Sequence, residues 1–128
     1  MNRAHSVAVK VKCLDRGTGK VLGYFGDSTQ NYVNVASEIT AALCEYTYEG
    51  GALYLKINNS TVDRWLGNYG GWADWGMRGG YWNKVTPKND NIYIATEDNT
   101  WLWWDTDNFI KWTGTGGKNN LALEYVPA

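Results

Sequence analysis

Leu53-Tyr54-Leu55-Lys56-Ile57 alternates apolar and polar side chains and runs into Asn58-Asn59, the pattern of a half-buried strand that ends in a turn. The same pattern occurs at Val7-Ala8-Val9-Lys10-Val11 and at Ile92-Tyr93-Ile94. Matching Val9 and Val11 with Leu53 and Leu55, and these with Ile92 and Ile94, places Asp15, Asn59 and Asp98 four residues past the second apolar position each time. A second apolar strand follows each turn: Val21-Leu22-Gly23-Tyr24, Trp65-Leu66-Gly67-Asn68 and Trp101-Leu102-Trp103-Trp104. Third strands carry apolar residues three apart, at Tyr32 and Val35, Trp72 and Trp75, Phe109 and Trp112. Fourth strands are expected at 41–46, 81–85 and 121–126. The chain thus divides into degenerate repeats of four strands, 7–50, 51–90 and 91–128, within one domain spanning 1–128.

One segment has two readings. Ser37-Glu38-Ile39-Thr40-Ala41-Ala42-Leu43 opens like a helix cap, with Ile39, Ala42, Leu43 and Tyr46 at helical spacing, yet it also alternates as Ile39, Ala41, Leu43. The repeat requires a strand there, with a helical turn as the alternative.

With 128 residues the chain can bury a core without metals or staples. It carries 8 Trp, 9 Tyr and 15 Gly but only 2 Phe, so its aromatic load consists of rings with an N–H or O–H, suited to half-buried surfaces. Lys and Arg number 12 against 13 Asp and Glu, a balance that argues against a phosphate-backbone binder and hence against nucleic acid. Apolar runs are too short to insert in a membrane. The start, Met1-Asn2-Arg3-Ala4-His5-Ser6, lacks an apolar run and a cleavage site, so a cytoplasmic protein or one released by a leaderless route is expected, unless a leader has been removed. Cys13 and Cys44 are read as buried free thiols, with a single bridge as the alternative. Asn58-Asn59-Ser60-Thr61 holds two overlapping glycosylation acceptor sequences and reads as a polar turn.

Catalytic chemistry lacks its parts. His5 is the only histidine, which argues against a triad and against His/Cys metal sites, so neither enzyme, cofactor nor metal is expected. Glu97, Asp98, Asp105 and Asp107 lie close together but in polar turns, where carboxylates stay solvated. Asp105-Thr106-Asp107-Asn108 opens like a calcium loop without its later Gly and Glu, and Gly114-Thr115-Gly116-Gly117-Lys118 has no phosphate-loop pattern.

Twelve short strands in three units resemble a β-trefoil, a fold in which the first and fourth strands of each unit build a six-stranded barrel and the second and third form capping hairpins. The resemblance implies that Leu22, Leu66 and Leu102, with Val35, Trp75 and Trp112, plug the barrel. Cys13-Leu14-Asp15 is similar to the Cys-Leu-Asp opening of ricin-B-type lectin domains. That likeness implies up to three shallow glycan sites, one per unit: Asp15, Tyr32 and Asn34; Asn59, Trp72 and Asp74 with Tyr69; Asp98, Phe109 and Lys111 with Asn108. The family's Gln-x-Trp signature is missing, because Gln30 is the only glutamine and no Trp follows two residues later.

All 8 Trp lie between Trp65 and Trp112, interleaved with Asp, Asn and Gly, a mixture in which rings stack on sugar C–H faces and short polar side chains meet hydroxyls. The residues also have structural readings. Asp15, Asn59 and Asp98 suit turn capping, Trp75, Trp82 and Trp112 suit a core, and Gly70-Gly71-Trp72 and Gly79-Gly80-Tyr81-Trp82 suit tight hairpins as well as displayed aromatics. The expected function is a non-catalytic lectin acting by multivalent binding, with glycans or glycoproteins as partners and a homodimer as a compatible assembly. The alternatives are a trefoil protease inhibitor or protein-binding module, whose best loop is Val85-Thr86-Pro87-Lys88-Asn89-Asp90, and a glycan-targeting component of a toxin or defence system.

Overall fold

The computed structural model describes residues 7–27, 31–49, 52–57, 64–76, 84–89, 92–97, 100–104, 109–113 and 121–128. These form an all-β, barrel-like structure built on a curled antiparallel sheet. Its strands are β1 Val7–Asp15, β2 Val21–Phe25, β3 Val35–Ala36, β4 Cys44–Glu49, β5 Ala52–Ile57 and β6 Arg64–Tyr69, then β7 Trp72–Gly76, β8 Lys84–Asn89, β9 Ile92–Glu97, β10 Thr100–Trp104, β11 Ile110–Thr113 and β12 Leu121–Pro127.

Six of these strands are paired in a cycle: β1 with β4, β4 with β5, β5 with β8, β8 with β9, β9 with β12, and β12 with β1. The remaining strands form the hairpins β2–β3, β6–β7 and β10–β11, each continuing from a strand of the cycle. The core follows from the alternation. Val9, Val11 and Cys13 of β1 are buried with Cys44, Leu55 and Ile57, and Leu121, Leu123 and Tyr125 of β12 join them. Each fully buried aliphatic side chain contributes about 1.5–3 kcal/mol.

The hairpins close one end of this core. Cross-strand pairs put Phe25 opposite Val35, Leu66 opposite Trp75, and Leu102 opposite Trp112. Phe25, Leu66 and Leu102 are 0–1% exposed. Phe25, not Leu22, therefore stands where Leu66 and Leu102 stand; Leu22 is only partly buried against the core. The reason is the pairing register: Tyr24 lies opposite Lys12 as Trp65 lies opposite Lys56, so the residue after Tyr24 takes the position of Leu66. Trp75 and Trp112 are core residues as expected, and Trp104 packs half-buried against the same cluster.

Other expectations are corrected. In β9, Tyr93 pairs with Leu123 and Ala95 with Val85, whereas the repeat matched Ile92 and Ile94 with the paired positions of the other two units. Residues 37–43 form neither strand nor helix. Ser37 Oγ accepts the Thr40 N–H at 3.3 Å in a single turn, Ile39 is 91% exposed, and β4 begins only at Cys44. Within the stretch proposed as an inhibitory loop, residues 85–89 belong to β8, paired with β9 and β5, so they are not free to protrude. Pro87 is accommodated at a register shift, where a missing N–H does not break the ladder. Cys13 and Cys44 are both buried free thiols. Among the described residues no helix is long and apolar enough to cross a membrane.

Candidate functional site

The third strands meet at the centre of the cap. Val33, Ala73 and Ile110 are each 0% exposed there. Val33 N–H donates to the Ala73 carbonyl and Ile110 N–H donates to the Val33 carbonyl, both at 3.0 Å. Because successive side chains alternate, the residues flanking each buried one lie on the opposite, outer face of the cap. They are Tyr32 and Asn34, Trp72 and Asp74, Phe109 and Lys111.

The pairing among them is cyclic. Tyr32 is opposite Asp74, Trp72 is opposite Lys111, and Phe109 is opposite Asn34, so each unit's aromatic residue faces the next unit's polar one. The three rings converge. Tyr32 and Trp72 lie 5.3 Å apart between centroids, and Phe109 lies 5.8 Å from each. Interplanar angles of 74° and 79° at Phe109 are edge-to-face, an arrangement worth about 0.5–1.5 kcal/mol per pair. All three rings are half-buried. Lys111 Nζ sits over Trp72, 4.8 Å from its ring centroid, and 5.8 Å from that of Trp103.

Two features hold this face in place. Trp75 Nε1 donates to the Gly26 carbonyl and Trp112 Nε1 donates to the Gly67 carbonyl, each at 3.0 Å, so each buried indole bonds to the preceding unit. A side chain at Gly26 would run into the Asn34 amide, which explains the glycine. Arg64 bonds Asp27 Oδ2 through Nη2 at 3.0 Å and Asn31 Oδ1 through Nη1 at 2.5 Å, pinning both ends of the segment that leads to Tyr32. The hairpin carrying Trp72 turns at Gly70 and Gly71, both at positive φ as a two-residue type I′ turn requires. Asn68 Oδ1 accepts the Gly71 N–H, and the Gly71 carbonyl accepts the Trp112 N–H, each at 2.8 Å.

Asp74 differs from its neighbours in being 9% exposed, and its Oδ1 has no hydrogen-bond partner among the described residues. Burial pushes its carboxyl up to about 6. Asn34 Oδ1 is likewise buried without a partner among the described residues. Asp15 is engaged elsewhere: its Oδ1 accepts the Gly17 and Thr18 N–H groups at 2.8 and 2.9 Å, closing its own turn, and these bonds hold its carboxyl below the usual range.

Of the expected site residues, Tyr32, Asn34, Trp72, Asp74, Phe109 and Lys111 are thus gathered on one face instead of three, and Asp15 is a turn cap. Tyr69, 57% exposed, stands opposite Trp72 at the end of the same hairpin. Asn59, Asp98 and Asn108 lie outside the described residues, as do His5, Trp82 and the segments 58–61, 79–82, 105–108 and 114–118. Trp103 and the Arg64 clamp belong to the site and were not anticipated. Trp103 could have been found from its position opposite Lys111 on the paired strands; the clamp joins residues far apart in sequence and leaves no local signal. No group of three His, Cys, Asp or Glu side chains suited to a metal ion occurs among the described residues. Comparison of the chain with family models, curated proteins and solved structures found no match.

Proposed function

We propose that the chain is a β-trefoil and that it acts as a non-catalytic carbohydrate-binding protein through the outer face of its cap. The cyclic pairing of β1, β4, β5, β8, β9 and β12, with a hairpin attached to each unit, supports the trefoil reading.

The observation that carries the function is the half-exposed cluster of Tyr32, Trp72 and Phe109, bordered by Asn34, Asp74 and Lys111. Aromatic rings in such a cluster offer apolar faces and edges to the C–H side of a sugar. The polar border supplies an acceptor, a donor and a residue that is both, which matches hydroxyl groups. The formal charges of Asp74 and Lys111 cancel, so the border favours neutral ligands.

A glycan array probed with the intact protein tests the reading. Binding to neutral glycans is expected, with at least a tenfold loss in Trp72→Ala. Binding to no saccharide on the array overturns it.

A further inference from the structure

We propose that the three units share one ligand site, centred on the cap, which takes a single neutral pyranose residue and uses Asp74 as its buried hydrogen-bond acceptor. The proposal rests on the carbohydrate-binding reading above and replaces three peripheral sites by one composite site.

Spacing is the first argument. The centroids of Tyr32, Trp72 and Phe109 are 5.3–5.8 Å apart. A pyranose ring is itself about as broad as that separation, so three sugars cannot stack on these rings side by side. The cluster presents one platform to one ring. The border is also divided among the units, with Asn34 from the first, Asp74 from the second and Lys111 from the third, so no unit holds a complete set. The acceptor expected to define a separate site in the first unit, Asp15, spends its carboxylate on its own turn.

The second argument is Asp74 itself. A carboxylate more than nine-tenths buried, with Oδ1 lacking a partner among the described residues, is costly unless a donor reaches it. A ligand hydroxyl is such a donor. Lys111, drawn over Trp72 at 4.8 Å, supplies the opposite polarity on the neighbouring strand. A hydroxyl, which both donates and accepts, suits a border that carries both polarities. An anionic sugar meets Asp74 and a cationic one meets Lys111, and each pays for one like-charge contact.

Isothermal titration calorimetry decides the matter, using methyl glycosides of glucose, galactose and mannose, with glucuronic acid and glucosamine as charged probes. The expected stoichiometry is one neutral ligand per chain. Tyr32→Ala, Trp72→Ala and Phe109→Ala should each weaken that single event at least tenfold. Asp74→Asn, which keeps the shape of the side chain, should weaken it about tenfold. Asp15→Ala should leave affinity and stoichiometry unchanged. Circular dichroism checks that each variant is folded; should an aromatic variant fail to fold, Asp74→Asn and Lys111→Met carry the test, both being expected to lower affinity at unchanged stoichiometry. Two or three equivalents per chain, loss of only a fraction of the sites in an aromatic variant, or tighter binding of glucuronic acid than of the neutral glycosides overturns the proposal while leaving carbohydrate binding intact. Failure of every saccharide, on the array and in solution, overturns both.

Discussion

Burial penalises the charge of Asp74 and pushes its carboxyl up to about 6, above the ordinary aspartate range. Opposite it stand Gly67 on β6 and Tyr32 across the cap. A carboxyl whose value is raised by folding binds more protons in the native than in the unfolded chain between roughly pH 4 and 6. Stability therefore falls as pH rises through that window, and the cost is complete above pH 6. Asp74→Asn removes the charge but not the shape. It is expected to raise stability at pH 7 by about 1–2 kcal/mol and to show no gain near pH 4. Denaturant titrations at the two pH values measure this, and an equal effect at both would mean that charge burial is not the cause. A residue whose conservative replacement strengthens the fold while weakening the ligand is the signature expected of a binding group.

At the scale of elements, the β6–β7 hairpin links turn chemistry to the site. Gly71 has φ of 94°, and its carbonyl anchors the Trp112 N–H. Gly71→Val puts a β-branched side chain in a left-handed conformation, with an expected cost of about 1–3 kcal/mol. The strain falls on the strand that carries Trp72 and Asp74, so ligand affinity should drop along with the melting temperature; a variant that melts lower but binds as before would separate the turn from the site. The hairpin was legible in Gly70-Gly71 flanked by aromatics, because two glycines in a row between apolar runs have few other uses. The Leu-Gly step was less dependable. Leu22-Gly23 looks like Leu66-Gly67, but Tyr24 lies opposite Lys12 as Trp65 lies opposite Lys56, so Phe25 fills the plug position, and no residue in β2 announces a register set by its partner strand. Ser37 misled in a similar way: its hydroxyl closes a turn whatever follows, and Ile39 finds no apolar neighbour to extend that turn into an element.

For the whole molecule, the matching of Tyr32, Trp72 and Phe109 was legible in the sequence, each standing three residues before Val35, Trp75 and Trp112. Their convergence was not readable. Matched positions on separate strands meet only where those strands pair at one point, and the marker of that point is the buried trio Val33, Ala73 and Ile110, whose side chains share no motif. The same convergence ties the units together energetically. The core cluster draws on all three, and Trp75 and Trp112 each bond to the unit before their own. Unfolding any one unit would open the cap, break at least one indole hydrogen bond to a neighbouring unit and break the strand cycle, so the chain is expected to unfold in one step. The sequence supplies two reporters for this. All 8 Trp lie between Trp65 and Trp112, in the second and third units, while both cysteines lie in the first. Cys13 and Cys44 are buried, and burial raises both thiols far above their usual range, so neither should react with a thiol reagent in the native state. In a urea titration at equilibrium, the appearance of two reactive thiols and the change in Trp fluorescence should share one midpoint. Thiols that open at clearly lower urea than the fluorescence change would show a separable first unit, and a site assembled from all three units would then have no rigid frame.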